Sequence, residues 1–340
     1  MSEPQRYVHV GFPKSASSSL QNFYFGVHPD CLHLGLGYES KGNTYFDEGV
    51  ERVSEVDIRL KKEFLWDLED CQKLMQPAFD YAKENNYKAV GLSNEFHSFA
   101  LGNEVDTADK ARRLRQLFGD GTKAIIVIRE QFSFLKSLYL ELLKGGYGGT
   151  YRKYLEYTYL YQVRSWCTDI CYDNMYNLYV NEFGKENVCM VVFEQLKKDP
   201  AAFLTTIANS IGISTDIQEM RAVNTQAESM GWYEQLRRYN EKFPREFGTK
   251  FFEPFNMNRM RAYFHNELGV AVPHDRLADD ILRIPINQAA QKISEISPVS
   301  DLSLKIPEGL EARMTEMFAA SNRRLQELAG FDLEQYGYRL

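Results

Sequence analysis

Hydrophobic positions in this chain recur with two different periods. Short apolar or alternating runs at 7–11, 88–93, 123–128 and 188–193 have the length and pattern of strands. Between them, apolar residues three and four apart predict helices over 18–26, 57–84, 107–118, 132–143, 152–183 and 200–211. Lys123-Ala-Ile-Ile-Val-Ile128 is almost unbroken apolar sequence, as in a strand covered on both faces of a parallel sheet. Phe132, Leu135, Leu138 and Leu142 then mark the buried stripe of a helix. Alternating strands and helices predict an α/β class with parallel pairing, right-handed crossovers and a ligand site at the carboxyl ends of the strands. With no internal repeat, low-complexity tract or proline-rich linker, one domain over 1–340 is the expected partition.

The first of these strands breaks in an unusual way. Tyr7-Val-His-Val-Gly-Phe-Pro-Lys14-Ser-Ala-Ser-Ser-Ser-Leu-Gln21 passes from strand to a Pro-Lys-Ser loop and three consecutive serines. Pro13 stops the strand, and Ser17, Ser18 and Ser19 suit the opening of a helix. Unpaired N–H groups and the positive end of the helix dipole then face the loop, beside the Lys14 ammonium and the hydroxyls of Ser15 to Ser19. This is a cradle for a phosphate, although an ordinary turn has a similar composition. It is not a Walker A loop, because no glycine directly precedes Lys14. A second anion-gripping pair follows the 123–128 run: Arg129 stands at the strand end and Ser137 eight residues later, on the second turn of the next helix. A guanidinium there can grip phosphate oxygens with two parallel hydrogen bonds; read alone, the pair is equally a solvated charge and a surface hydroxyl.

Together these segments resemble the sulfotransferases that use 3′-phosphoadenosine 5′-phosphosulfate (PAPS). Pro13-Lys14-Ser15-Ala16-Ser17-Ser18-Ser19-Leu20 is similar to their 5′-phosphosulfate loop, Pro-Lys-Ser/Thr-Gly-Thr-Thr-x-Leu, with Ala16 standing where glycine is usual. If that position requires a positive φ, alanine there costs about 1 kcal/mol. Arg129 and Ser137 resemble the family's 3′-phosphate site. Val188-Cys-Met-Val-Val-Phe193-Glu-Gln-Leu-Lys-Lys-Asp-Pro200 is similar to a third family segment, which implies that Phe193 packs near adenine unless it is a core aromatic. Asn224, in Ala222-Val-Asn-Thr, resembles an asparagine that approaches the nucleotide. Leu310 to Tyr338 looks like the closing helix and tail of bacterial members.

The resemblance implies a P-loop NTPase-like sandwich, a central parallel sheet flanked by helices. It also implies in-line transfer of a sulfuryl group to a hydroxyl of a carbohydrate or small metabolite, with 3′,5′-bisphosphoadenosine as product and no metal. Lys14 is then the residue that neutralises the leaving phosphate. Ala89-Val-Gly-Leu-Ser-Asn-Glu95-Phe-His97 resembles the Ser-x-Glu segment that supplies a carboxylate base in glycan-type and bacterial members, which makes Glu95 the first candidate. His97 is the second, since an unperturbed imidazole titrates at about 6.5. Two rivals stand beside this reading: a nucleotide-dependent kinase of related architecture, and a catalytically idle nucleotide-binding protein for which Ala16 is the hint.

Composition narrows the classes. A net charge of −7 disfavours a nucleic-acid binder that works by neutralising phosphates, but leaves room for a local nucleotide pocket. No run approaches the roughly 20 apolar residues of a membrane span, and the N-terminal residues carry no apolar signal segment, so a cytoplasmic location is expected. Five cysteines lack the spacing of a disulfide framework or a zinc site, and reduced thiols follow. Gly145-Gly-Tyr-Gly-Gly149 suits a hinge or a plain connection. Residues 214–306, with Arg237, Arg238, Arg245, Lys250, Arg259 and Arg261 among aromatics, are expected to form an acceptor-side or capping helical region, or else a solvated face. Oligomeric state is not legible.

Overall fold

A computed structural model describes residues 3–35, 42–100, 104–163, 166–215, 228–242 and 300–340. The chain gathers into two compact units, one made of Met1–Phe134, Val163–Val223 and Thr315–Leu340, the other of Leu135–Gln162 and Asn224–Met314.

The first unit holds one six-stranded sheet in the order β3-β2-β4-β1-β5-β6, with every pair parallel. Its strands are β1 (Gln5–His9), β2 (Cys31–Leu34), β3 (Thr44–Tyr45), β4 (Ala89–Ser93), β5 (Lys123–Ile128) and β6 (Val188–Val192). Four match the expected runs. The other two, β2 and β3, are too short, at four and two residues, for periodicity to show, and β2 is buried throughout, His33 included.

Helices cover both faces. Side chains alternate across each strand, so Tyr7, Ile125 and Val127 meet Phe203, Leu204, Ile207 and Ile211 of α10 (Pro200–Ile211) in one buried cluster. On the other face lie α3 (Leu68–Glu84), α4 (Thr107–Phe118) and α8 (Tyr172–Phe183). Asp67, Asp106 and Asp199 cap the starts of α3, α4 and α10 with carboxylate-to-N–H bonds.

Two expected helices are corrected. The span expected as 57–84 is helical as α3 only from Leu68, after a π-helical turn at Val53–Asp57 and a 3-10 turn at Glu63–Leu65. The expected 152–183 helix is broken into α6 (Tyr151–Leu160), α7 (Trp166–Asp169) and α8. Its tyrosine-rich periodicity ran on through the breaks because aromatic residues are apolar enough to continue a stripe without being strong helix formers.

Register aligns the carboxyl ends. His9 pairs with Ser93 and Ile125, and Ile128 pairs with Val192. The residues that leave β1, β4, β5 and β6 therefore emerge on one edge of the sheet. From β1 the chain crosses to one side, and from β4 it crosses back past β1 to β5, so the strand order reverses around β1; this is where open α/β sheets bind ligands.

The second unit contains α6 and α11 (Met230–Lys242). Its core is aromatic: Tyr139 lies 5.0 Å from Tyr151 and 5.5 Å from Tyr154 between ring centroids. The unit boundary falls within α5 (Gln131–Lys144) and within α12 (Glu308–Ala329). Among the described residues no helix is long and apolar enough to cross a membrane.

Candidate functional site

Beyond β1 the chain forms a loop sewn to its neighbour. The amides of Val10 and Phe12 donate to the carbonyls of Ile125 and Val127 at 3.0 and 2.8 Å, and Val127 N donates back to Gly11 O at 2.6 Å. Phe12 is buried against Phe99, Phe134 and Tyr172, with edge-on rings at 5.0–6.4 Å. That aromatic socket fixes the loop from below.

Lys14 and Ala16 both take left-handed backbone, with φ of 61° and 70°. The condition that made Ala16 costly is met: its position is one where glycine is free of Cβ strain. Ala16 is the N-cap of α1 (Ser17–Leu20), which continues as a π-helical turn through Phe25. No side chain caps this helix; the Ser17 hydroxyl donates instead to Phe12 O at 3.1 Å, tightening the loop. Ser15, Ser17 and Ser19 are buried, Ser18 is exposed, and Lys14 and Ala16 lie between. The serines expected to open the helix do so, but Ser17 serves the loop rather than the helix end.

Arg129 leaves the end of β5 and its Nη1 donates to Lys14 O at 2.7 Å. The guanidinium and the lysine loop are thus in direct contact. Tyr172 joins them from below, its hydroxyl donating to Arg129 O at 2.7 Å while its ring packs on Phe12. Burial lowers the Arg129 pKa from its usual value, partly offset by Glu194, but a guanidinium stays charged. Arg129 Nε is buried and has no hydrogen-bond partner among the described residues. An unanswered donor of that kind is a cost unless a ligand acceptor answers it.

Phe193, one residue past β6, opens α9 (Phe193–Lys198) and leans on the α10-side core, with the Arg129 guanidinium 4.9 Å and the Lys197 ammonium 4.7 Å from its ring centre. The carboxylate of Glu194 accepts from Glu130 N at 3.1 Å and from the Tyr338 hydroxyl at 3.2 Å. The C-terminal tail thus underpins the arginine corner. Ser137 is half-buried on the second turn of α5 and belongs to the second unit. Asn224 lies outside the described residues, as do Arg245, Lys250, Arg259 and Arg261.

Past β4, Asn94 N and Ser98 N donate to the His9 and Val10 carbonyls at 2.9 and 3.0 Å, drawing the turn Glu95–Ser98 onto the lysine loop. Gly11 is required there. Its φ is +112°, and a Cβ would stand 2.6 Å from Glu95 O and 2.9 Å from Glu95 Cα. Glu95, half-buried, therefore sits directly beside the loop. His97 points elsewhere. It is fully buried, its Nε2 lies 3.3 Å from Ser54 O and 3.5 Å from Ser54 Oγ, and burial pulls its pKa down to about 3. That places His97 in the support of the turn, as a neutral packed imidazole.

Several contributors gave no signal in the sequence. Gln21 reaches from the helix after the loop to the Ser93 carbonyl and hydroxyl, both at 3.1 Å, and His9 Nδ1 meets that hydroxyl at 2.6 Å. Gln21, Ser93 and Tyr172 are polar or aromatic residues of ordinary type, and only tertiary contact gives them a role.

The fold as a whole has a counterpart among solved structures. A sulfotransferase from Alicyclobacillus acidocaldarius superposes with a TM-score of 0.51 over 99% of this chain and 99% of its own, at 16% identity. The fold is a sulfotransferase fold. The sulfotransferase domain of the Synechococcus PCC 7002 olefin synthase aligns over 85% of this chain and 95% of its own, at 15% identity and a TM-score of 0.35. That of the curacin biosynthetic pathway aligns over 90% and 99%, at 12% identity and a TM-score of 0.34. No family model matches the chain, and no curated protein does. Within the sulfotransferase fold of this chain, the second unit carries a cavity of about 540 Å³ lined by Tyr139, Tyr151, Arg152, Arg237, Leu302 and Lys305, among others. Glu234 and Glu241 hold the Arg237 guanidinium there, through bonds of 2.8–3.0 Å.

Proposed function

We propose that the chain is a sulfotransferase that takes a sulfuryl group from PAPS and delivers it to a hydroxyl of a small-molecule or glycan acceptor. The observation that carries this reading is the 2.7 Å bond from Arg129 to the carbonyl of Lys14, which joins two anion-gripping cations at the strand edge where the order reverses. A nucleotide with phosphates at both its 5′ and 3′ positions asks for two such corners, and the buried, unanswered Nε of Arg129 fits an added acceptor oxygen.

PAPS supplies the sulfuryl group and a bisphosphoadenosine leaving group. Lys14, the backbone of Ser15 to Ser19 and their hydroxyls would hold the 5′-phosphosulfate end, with the α1 terminus left uncapped for it. Arg129 and Ser137 would hold the 3′-phosphate, and Phe193 the edge of the base; Asn224 belongs to the same proposal. The Lys14 ammonium stabilises charge that builds on the bridging oxygen as the bond to sulfur breaks. Glu95, seated against Gly11, takes the proton of the acceptor hydroxyl. His97, buried and neutral on Ser54, holds the turn rather than the proton.

Binding and turnover test this reading separately. The protein should be stabilised against heat by 3′,5′-bisphosphoadenosine and not by ADP with Mg²⁺, and Arg129→Ala should weaken the bisphosphate by about 10- to 100-fold, the worth of a charge-assisted bond pair. Stabilisation by ADP with Mg²⁺ alone would favour the kinase. With a panel of hydroxylated acceptors, Lys14→Ala should lower transfer by about 10²- to 10³-fold. Equal transfer by the variant and the wild type would rule the mechanism out.

A further inference from the structure

The turn that carries Glu95 is gripped from beneath by a lysine that the transfer reaction does not call on. Lys110, on α4, is fully buried, and its ammonium donates to Phe96 O at 2.9 Å and to Phe99 O at 3.0 Å. Its third partner is the buried carboxylate of Glu104. The other oxygen of Glu104 pairs with the Arg59 guanidinium at 2.7 Å, and Arg59 lies 4.3 Å from the centre of the Phe96 ring. Asn94 closes the group, donating to Glu55 Oε1 at 2.7 Å and to Ser54 Oγ at 3.0 Å while its own Oδ1 accepts from Phe96 N. Tyr179 reaches the His97 carbonyl, and Asp169 accepts from Ala100 N.

A four-residue 3-10 turn leaves its last carbonyls without helical donors. Lys110 and Tyr179 supply donors to two of them, Phe96 O and His97 O, and Lys110 also to Phe99 O just past the turn. Burying an ammonium is expensive, and an apolar residue of like volume would pack α4 at least as well. What an apolar residue cannot do is gather a carbonyl of the turn and the carbonyl of the residue that ends it onto a single point.

We propose that Lys110 is a positioning residue for the base: it clamps the turn Glu95–Ser98 against the lysine loop and so sets where the Glu95 carboxylate stands. The inference rests on the sulfotransferase reading for the word base, but the clamp itself does not. Arg59 and Glu104 hold the lysine in charge balance, and the clamp transmits through backbone alone, from Phe96 O and Phe99 O to Glu95 and across to Gly11.

Hydrogen exchange in Lys110→Met and Lys110→Arg, with transfer kinetics on the same proteins, tests the proposal. In Lys110→Met the amides of residues 95–100 should lose protection by about 10-fold or more, while those of β1, β5 and α10 hold theirs. Lys110→Arg should recover part of that protection. In transfer, Lys110→Met should lower kcat by about 10- to 100-fold, as expected of a base displaced by about 1 Å, with the affinity for 3′,5′-bisphosphoadenosine unchanged. Combined with Glu95→Gln it should add little further loss, because both changes remove the same contribution. Should Lys110→Met prove unstable, Lys110→Met with Glu104→Gln removes both buried charges and is measured the same way. Unchanged exchange at 95–100, or a loss of protection spread over the whole sheet in both constructions, overturns the clamp. Additive kinetics with Glu95→Gln overturns its link to the base. A wild type that transfers no sulfate counts against the functional reading, and the exchange comparison still decides the clamp.

Discussion

Ala16 shows how one side chain can be both tolerated and costly. It sits at φ 70° and ψ 15°, a conformation that glycine adopts freely and alanine does not. Ala16→Gly should therefore stabilise the folded chain by about 1 kcal/mol less whatever the added freedom of the unfolded glycine returns, so a net gain of a few tenths is expected. Urea unfolding of the two proteins checks the sign. Gly11 is the opposite case. Gly11→Ala meets both a left-handed φ and the backbone of Glu95, and should cost about 2–4 kcal/mol or push the Glu95 turn away from the loop. A lowered melting temperature together with raised exchange at 95–98 is the expected outcome. The sequence suggested a special backbone at position 16 only through resemblance, whereas the demand on Gly11 comes from a segment more than eighty residues away in the chain and is invisible locally.

Among the elements, the loop after β1 is held by what leaves the neighbouring strands. The socket of Phe99, Phe134 and Tyr172 receives Phe12, and Tyr172 also bonds the Arg129 carbonyl. Tyr172→Phe keeps the ring and removes only the hydroxyl. It should leave the fold within about 1–2 kcal/mol of wild type, the worth of one buried hydrogen bond, while loosening Arg129 and weakening bisphosphoadenosine binding several-fold. Calorimetric titration of the variant checks this, and tighter binding would count against the coupling. Both strand-to-helix units that carry Lys14 and Arg129 were legible, since a long buried strand and an amphipathic helix each leave a periodic trace. Short β2 and β3 left none, and the tyrosine-rich stretch left a misleading one.

Taken whole, the first unit buries three histidines in neutral form. Burial lowers His9, His33 and His97 from 6.5 to about 3, 4 and 3. Each is unprotonated when folded and takes up a proton when unfolded below pH 6.5, so its contribution to stability is present above that pH and is lost as pH falls towards 4 and 3. Asp169 works the other way, because burial raises its carboxyl above the usual value and the folded chain keeps a proton that the unfolded one releases. The balance is about two protons taken up on unfolding near pH 5, a loss of about 3 kcal/mol per pH unit of acidification. Urea midpoints from pH 7 to 5 should fall accordingly, and His33→Gln should flatten the slope by about a third to a half if it folds; a flat profile in the wild type would show the histidines to be hydrated. Local order in the sequence determined the class of the fold and the place of Lys14 and Arg129 just beyond two strand ends, because hydrophobic period and strand-end chemistry are written in neighbouring residues. Contact between Arg129 and Lys14, the seat of Glu95 on Gly11, the withdrawal of His97 into the interior and the lysine clamp under the turn were decided only by tertiary structure. Each depends on residues far apart in the chain meeting at one sheet edge, and burial there, more than residue type, decides which polar groups stay accessible and which brace the backbone.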